Sequence, residues 1–177
     1  MKYTRLKLSV LLAIMLIGIL SIIGCSKTDK EQDEVTLGEN VEKLLKYKDS
    51  YIGDNSAVGN ISNYLLANDN LQGFELKTNE KPYEITLKYK GFEDSKTIIS
   101  TNETITLPFS DVIIKNSMVL FSLIKNVDTI NLEIDDGSTI TYKKAELVDA
   151  YGNKYGKNLE KITGNKTSLE NFLTGEV

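Results

Sequence analysis

The 177-residue chain contains no His and no Trp, two Pro, one Cys and one Arg. Each absence closes a route to function. Without His, the usual general base near neutral pH and the commonest metal ligand are both missing. One Cys cannot form a disulfide within the chain, so a stapled small fold is excluded. A single Arg, Arg5, leaves almost no capacity for the planar two-pronged grip of guanidinium on phosphate or carboxylate. What is present is ordinary for one globular domain, with 41% hydrophobic and 26% charged side chains and no internal repeat.

The scarce residues cluster at the start. Lys2, Arg5 and Lys7 precede an apolar run from Leu8 to Gly24 that is broken only by Ser and Gly, which is the layout of a signal peptide. The run ends Ile22-Ile23-Gly24-Cys25. That ending resembles the lipobox of bacterial lipoproteins, in which the Cys is acylated and becomes the first residue of the mature chain. An uncleaved transmembrane helix, a signal peptide without lipid, and a reactive or disulfide-forming thiol are the alternatives. The apolar run is at the short edge of what spans a bilayer, and the small residue just before the Cys favours lipidation. Two or three acyl chains, at about 0.8 kcal/mol per buried methylene, would hold the protein at the membrane.

Removal of residues 1–24 takes away three positive charges and no carboxylate, which moves the net charge from −4 to −7. Such a body is repelled by nucleic acid and by anionic headgroups, so nucleic acid is not an expected partner. Residues 26–36, SKTDKEQDEVT, are too polar to bury surface and read as a tether of roughly 17 to 20 Å. The expected organisation is a signal peptide over 1–24, lipidated Cys25 with its tether over 25–36, and one domain over 37–177.

Within that domain, Val41, Leu44 and Leu45 have helical spacing, and a turn-rich stretch from Asp49 to Asn55 ends the helix. Asp54 or Asn55 can cap a second helix that carries Val58, Ile61 and Leu65 on one face, closed by Asn68-Asp69-Asn70. Alternation then predicts a hairpin through Phe74, Leu76, Tyr83, Ile85, Leu87 and Tyr89 and a second strand pair at 97–100 and 104–107. Pro108 ends the strands, and Ser110 with Asp111 opens an apolar helix to about Lys125, expected to be the central core helix. A third hairpin turns at Asp135-Asp136-Gly137-Ser138, followed by short helices at 144–151 and 168–173. The expected fold is α+β, a mainly antiparallel sheet built from hairpins and covered by helices.

Chemistry would fall to carboxylates, Lys or Tyr. Asp135-Asp136-Gly137-Ser138 and Asn68-Asp69-Asn70 read as a turn and a helix terminus before they read as metal loops, and neither a metal nor a cofactor is expected. Lys115, Lys125, Lys143 and Lys144 are candidate amines only where burial lowers their basicity. No Ser stands in a Gly-x-Ser-x-Gly elbow, and no Ser-x-x-Lys nucleophile pair is expected. The stretch with several converging polar groups is Tyr51, Gly53, Asp54 and Asn55, which is the candidate binding loop, with a helix cap as its simpler reading. Tyr83, Tyr89 and Tyr142 fall on the apolar phase of strands and read as core.

Two stretches, Tyr47-Lys48-Asp49-Ser50-Tyr51-Ile52-Gly53-Asp54-Asn55-Ser56-Ala57-Val58-Gly59-Asn60 and Met118-Val119-Leu120-Phe121-Ser122-Leu123-Ile124-Lys125-Asn126-Val127-Asp128, with Lys81-Pro82-Tyr83-Glu84-Ile85-Thr86 between them, carry a family resemblance. They resemble an uncharacterised bacterial domain of Gram-positive lipoproteins, found also attached to membrane metallopeptidases of the beta-lactam-sensor type. The resemblance runs from about Val41 to the C-terminus, and it departs at Glu84, where the family more often has Gly. It implies no known activity, but it does imply an extracytoplasmic binding or sensing accessory. The expectation is therefore a non-enzymatic, lipid-anchored module on the outer face of the cell membrane that takes a small ligand or another envelope protein. A carboxylate-dependent hydrolase of envelope material is the alternative, and a structural cover for another membrane protein is a third reading.

Overall fold

The computed structural model describes residues 35–91, 93–100, 102–155 and 158–175. Cys25, the expected leader and the tether through Glu34 lie outside the described residues. The first helix, α1 (Leu37–Leu45), starts from a capping box in which the Thr36 hydroxyl accepts from Glu39 N–H and the Glu39 carboxylate accepts from Thr36 N–H. Thr36 therefore belongs to the domain and not to the tether. Leu37, Val41 and Leu44 form the buried stripe of α1.

Helix α2 (Asn55–Tyr64) buries Val58 and Ile61. Gly59 lies where α2 meets the sheet, and a Cβ there would sit 3.2 Å from the Phe74 ring, so any larger residue needs the ring to shift. A 3₁₀ turn (Asn68–Asn70) leads into β1 (Leu71–Lys77), which pairs antiparallel with β2 (Glu84–Tyr89). The hairpin β3 (Asp94–Ser100) and β4 (Glu103–Pro108) forms a separate two-stranded sheet. Helix α3 (Phe109–Leu123) follows, then the hairpin β5 (Thr129–Ile134) and β6 (Thr139–Lys143), and finally α4 (Lys144–Tyr155), α5 (Leu159–Ile162) and α6 (Lys166–Thr174).

The main sheet has the order β1-β2-β5-β6, and its central pair, β2 with β5, is parallel. The fold is α+β with mainly antiparallel sheets, as expected, but hairpins alone do not build it. The second hairpin and α3 lie in the connection between β2 and β5, which returns the chain in the same direction. Ile85, Leu87, Tyr89, Ile130, Leu132, Ile140 and Tyr142 face inward, and α3 belongs to the same hydrophobic cluster. The outer sheet face is polar and laced across the strands. Glu84 accepts from Lys77 Nζ at 2.8 Å and from Asn131 Nδ2 at 2.9 Å, and Asn131 Oδ1 accepts from Thr141 Oγ1 at 2.8 Å. Glu84 is thus the start of a strand and leaves no tight turn after Tyr83.

Helix α3 is buried nearly all round, as its apolar composition predicts. Its opening differs from the expectation. Pro108 occupies the cap position with no side-chain cap bond, and Phe109 N–H donates to the Glu93 carbonyl, so Ser110 and Asp111 lie inside the helix. The buried polar residues within α3 have partners. Asn116 Oδ1 accepts from Leu66 N–H, its Nδ2 donates to the Leu66 carbonyl and the Tyr89 hydroxyl, and Ser117 donates to the Ile113 carbonyl. Helix α5 had no counterpart in the sequence reading, and α4 runs to Tyr155, past the expected end at 151.

Candidate functional site

The loop between α1 and α2 is held by the carboxyl end of α3. Asp49 sits in the left-handed region at φ 68°, which short polar side chains tolerate, and this turns the chain beside α3. Ser50 then pairs with Ile124, its carbonyl accepting from Lys125 N–H at 2.9 Å. Two residues on, the Asn126 side chain accepts from Ile52 N–H at 2.9 Å. Ile52 is buried by this arrangement, and Tyr51 beside it is turned outward, 56% exposed. The Lys125 ammonium lies 5.8 Å from the centre of the Tyr51 ring and 3.3 Å from Asp49. Asp49, Tyr51 and Lys125 form one exposed polar-aromatic group on a rigid base.

Next to that group is an open cleft of about 840 Å³. Lys48 and Asp49 supply one wall, Phe121, Ser122 and Lys125 another, Lys144 and Val148 of α4 a third, and residues 158–160 the last. A second depression of about 700 Å³ lies along the start of α4 and shares Lys144 and Val148 with the first. Lys144 is half-buried, its ammonium 5.9 Å from the centre of the Phe121 ring. Burial pulls its pKa below the usual lysine range, and the field of Asp128 opposes that shift.

The residues singled out in the sequence sort into two groups. Asp54 is the cap of α2, its carboxylate accepting from Ala57 N–H at 2.9 Å, and Asn55 is the first helical residue and exposed. Gly53 has an ordinary φ and open space around its Cα, so neither strain nor packing requires glycine there. Tyr51 does not line the cleft, but its ring lies beside Lys125, which does. Asp135 accepts from Gly91 N–H and Asp136 from Ser138 N–H, and Gly137 at φ 89° completes the hairpin turn. Among the described residues no group of three His, Cys, Asp or Glu side chains could hold a metal.

Of the four lysines, Lys115 is buried and donates to the Leu173 carbonyl at 2.8 Å, which makes it a structural tie to α6. Lys143 is exposed and paired with Glu146, and Lys125 is held by Asp49. Lys144 is the one that enters the cleft half-buried. One sequence expectation is corrected, because Ser122-Leu123-Ile124-Lys125 does have Ser-x-x-Lys spacing. The helix ends at Leu123, which turns Lys125 toward Asp49, while Ser122 Oγ donates to the Leu159 carbonyl at 2.6 Å and lies 2.6 Å from Thr163 Oγ1. The spacing serves packing and does not form a nucleophile pair. Asn126 and Lys144 were the less legible site residues, since only tertiary contact gives them their roles.

The three stretches that carried the family resemblance meet at this end of α3. Besides the Asn126 bond, Asp128 accepts from Tyr83 N–H at 2.9 Å, and the Tyr83 carbonyl accepts from Asp128 and Thr129 N–H. A family model described as a domain of unknown function, DUF4825, matches residues 44–145, more than half of the chain. The chain belongs to this family. No curated protein and no solved structure matches it. The matched span runs from the end of α1 to the start of α4 and so contains every strand, the Tyr51 loop, two walls of the cleft and Lys144 of the third.

Proposed function

We propose that the protein is a lipid-anchored extracytoplasmic module that binds a ligand or partner through the face bearing Tyr51 and the cleft, and that it is not an enzyme. The anchor rests on the basic start, the apolar run and Cys25 after Gly24. The observation that carries the binding role is the rigid presentation of Tyr51. A large aromatic ring that is more than half exposed, fixed by a buried neighbour and bordered by an ion pair, has the character of a recognition anchor. Carboxylates that a hydrolase would need are engaged in backbone bonds at Asp54, Asp135 and Asp136, which supports binding over catalysis. Large exposed apolar side chains among the described residues are Val35 and Tyr51 alone, which favours a compact contact over a broad cover for another membrane protein.

Metabolic labelling with palmitate tests the anchor, with incorporation expected in the wild-type chain and lost in Cys25→Ala. Complementation of a deletion strain tests the face. Tyr51→Ala is expected to accumulate normally and fail to restore the wild-type phenotype. Full complementation by that variant would remove Tyr51 from the binding surface.

A further inference from the structure

Lys144 differs from Lys125 and Lys143 in being half-buried and, among the described residues, in having no acid at ion-pair distance. Lys125 has Asp49 at 3.3 Å and Lys143 has Glu146 at 2.9 Å, whereas among the described residues no carboxylate lies within 4.0 Å of Lys144. Asp128, whose field reaches it, is engaged by Tyr83 N–H. The centre of the Phe121 ring lies 5.9 Å from the ammonium, and Lys144 lines both hollows, of about 700 and 840 Å³. A cation deprived of part of its hydration, with Asp128 acting on it only from beyond ion-pair distance, is incompletely compensated, and an anion arriving from the cleft recovers part of that cost. The adjoining walls include Ala145, Val148 and Leu159, which suit a carbon body better than a fully hydrated ion.

We propose that the cleft binds a small organic anion with its charge at one end of an apolar body, the charged end pairing with Lys144 and the body lying along Val148 and Leu159. This rests on the reading of the protein as a binding module and names the class of its ligand. Lys48 and Lys125 at the rim add attraction at longer range, and Asp49 and Glu160 disfavour a ligand carrying more than one or two negative charges. A carboxylate and a phosphate ester share this chemistry.

The test uses the full lipidated chain in nanodiscs of neutral phosphatidylcholine. Each lysine is trace-acetylated with acetic anhydride and its rate read by mass spectrometry. The probes share a phenyl body: 3-phenylpropionate and phenyl phosphate as the two anions, 3-phenylpropanol as the neutral isostere, and phenylpropyltrimethylammonium as the cation. At about twice a millimolar Kd, a binding anion slows acetylation of Lys144 by about threefold and leaves Lys143 unchanged. Protection by one anion and not the other assigns the head group, and the alcohol and the cation are expected to give none. Equal protection by all four probes would show an apolar site indifferent to charge and overturn the proposal, as would protection by none. Saturation-transfer NMR on 3-phenylpropionate gives the second measurement, with the signal lost in Lys144→Gln and kept in Lys143→Gln. A retained signal in Lys144→Gln also overturns it. None of these results depends on palmitate incorporation or on complementation by Tyr51→Ala, so the binding-module reading can fail or survive separately.

Discussion

The interior of α3 and its carboxyl end use the same kinds of residue for opposite purposes. In the interior, Lys115, Asn116 and Ser117 are buried, and each donates to a carbonyl of the fold. At the end, Ser122, Lys125 and, across the gap, Lys144 line an open cleft. The difference teaches that a buried amine is not for that reason a functional one. Lys115 is the more deeply buried lysine and is held by Leu173, whereas Lys144 is only half-buried and, among the described residues, has no acid at ion-pair distance. Substitutions in the interior should therefore cost stability, and those at the cleft should cost binding.

The largest effect is expected at Asn116, whose loss in Asn116→Ala leaves the Leu66 N–H and carbonyl unpaired in the core. At roughly 1 to 3 kcal/mol per stranded group, the domain should lose about 4 kcal/mol. Calorimetry should show Tm falling by about 15 °C. A drop no larger than that of an exposed substitution would break the comparison at its interior side.

Tyr89, which shares the Asn116 amide, offers a test by pH. Burial pushes its hydroxyl up to about 12, while Asn116 pulls the other way. Below pH 10 both the folded and unfolded states hold the proton, so Tyr89 costs nothing there. Between pH 10 and 12 the unfolded chain releases the proton and the folded chain does not, so stability falls as pH rises. The loss relative to Tyr89→Phe should reach about 3 kcal/mol, measured by denaturant melts of both proteins across that window. Parallel pH profiles for the two chains would place the hydroxyl in contact with water.

Lys115→Met should remove about 2 kcal/mol by stranding the Leu173 carbonyl at the end of α6. Its amide exchange should rise first in α6. Asp54 sharpens the contrast inside the proposed binding loop. Asp54→Ala should cost about 1 kcal/mol through the lost cap, and Asp54→Asn only a few tenths, read from urea midpoints. Equal stability of all three chains would leave the carboxylate available for recognition. The smallest stability effect belongs to Lys144→Gln, expected within about 0.5 kcal/mol of wild type because the side chain is only half-buried and, among the described residues, makes no ion pair. If Lys144→Gln unfolded the domain as readily as Asn116→Ala, the two ends of α3 would no longer differ in kind.

Local patterns were legible and long-range ones were not. Val41, Leu44 and Leu45 do belong to the first helix, the three hairpins follow alternation and turn residues, and the apolar span after Pro108 is the central helix. Each of these depends on residues a few positions apart. The parallel pairing of β2 with β5 depends on how α3 packs across the sheet, and no local pattern encodes it. Ser110 and Asp111 do lie in the first turn of α3, but the helix starts one residue earlier, at Phe109, where Pro108 and the Glu93 carbonyl set the start. Among site residues, Tyr51 and Asp54 stood out by type and both are exposed, but that Asp54 is tied up as a cap and Tyr51 is set outward beside buried Ile52 was decided by Ala57 and Asn126.

The sequence by itself determined the classes of chemistry open to this protein. A chain without His, with Arg only in its leader-like start, and with an acidic body carries its information in residue types, which need no fold to be counted. Only the tertiary structure decided which of several similar side chains could act. Burial, hydrogen-bond satisfaction and distance to the nearest opposite charge are properties of neighbours, and the neighbours of Lys115, Lys125 and Lys144 come from segments far away in the chain.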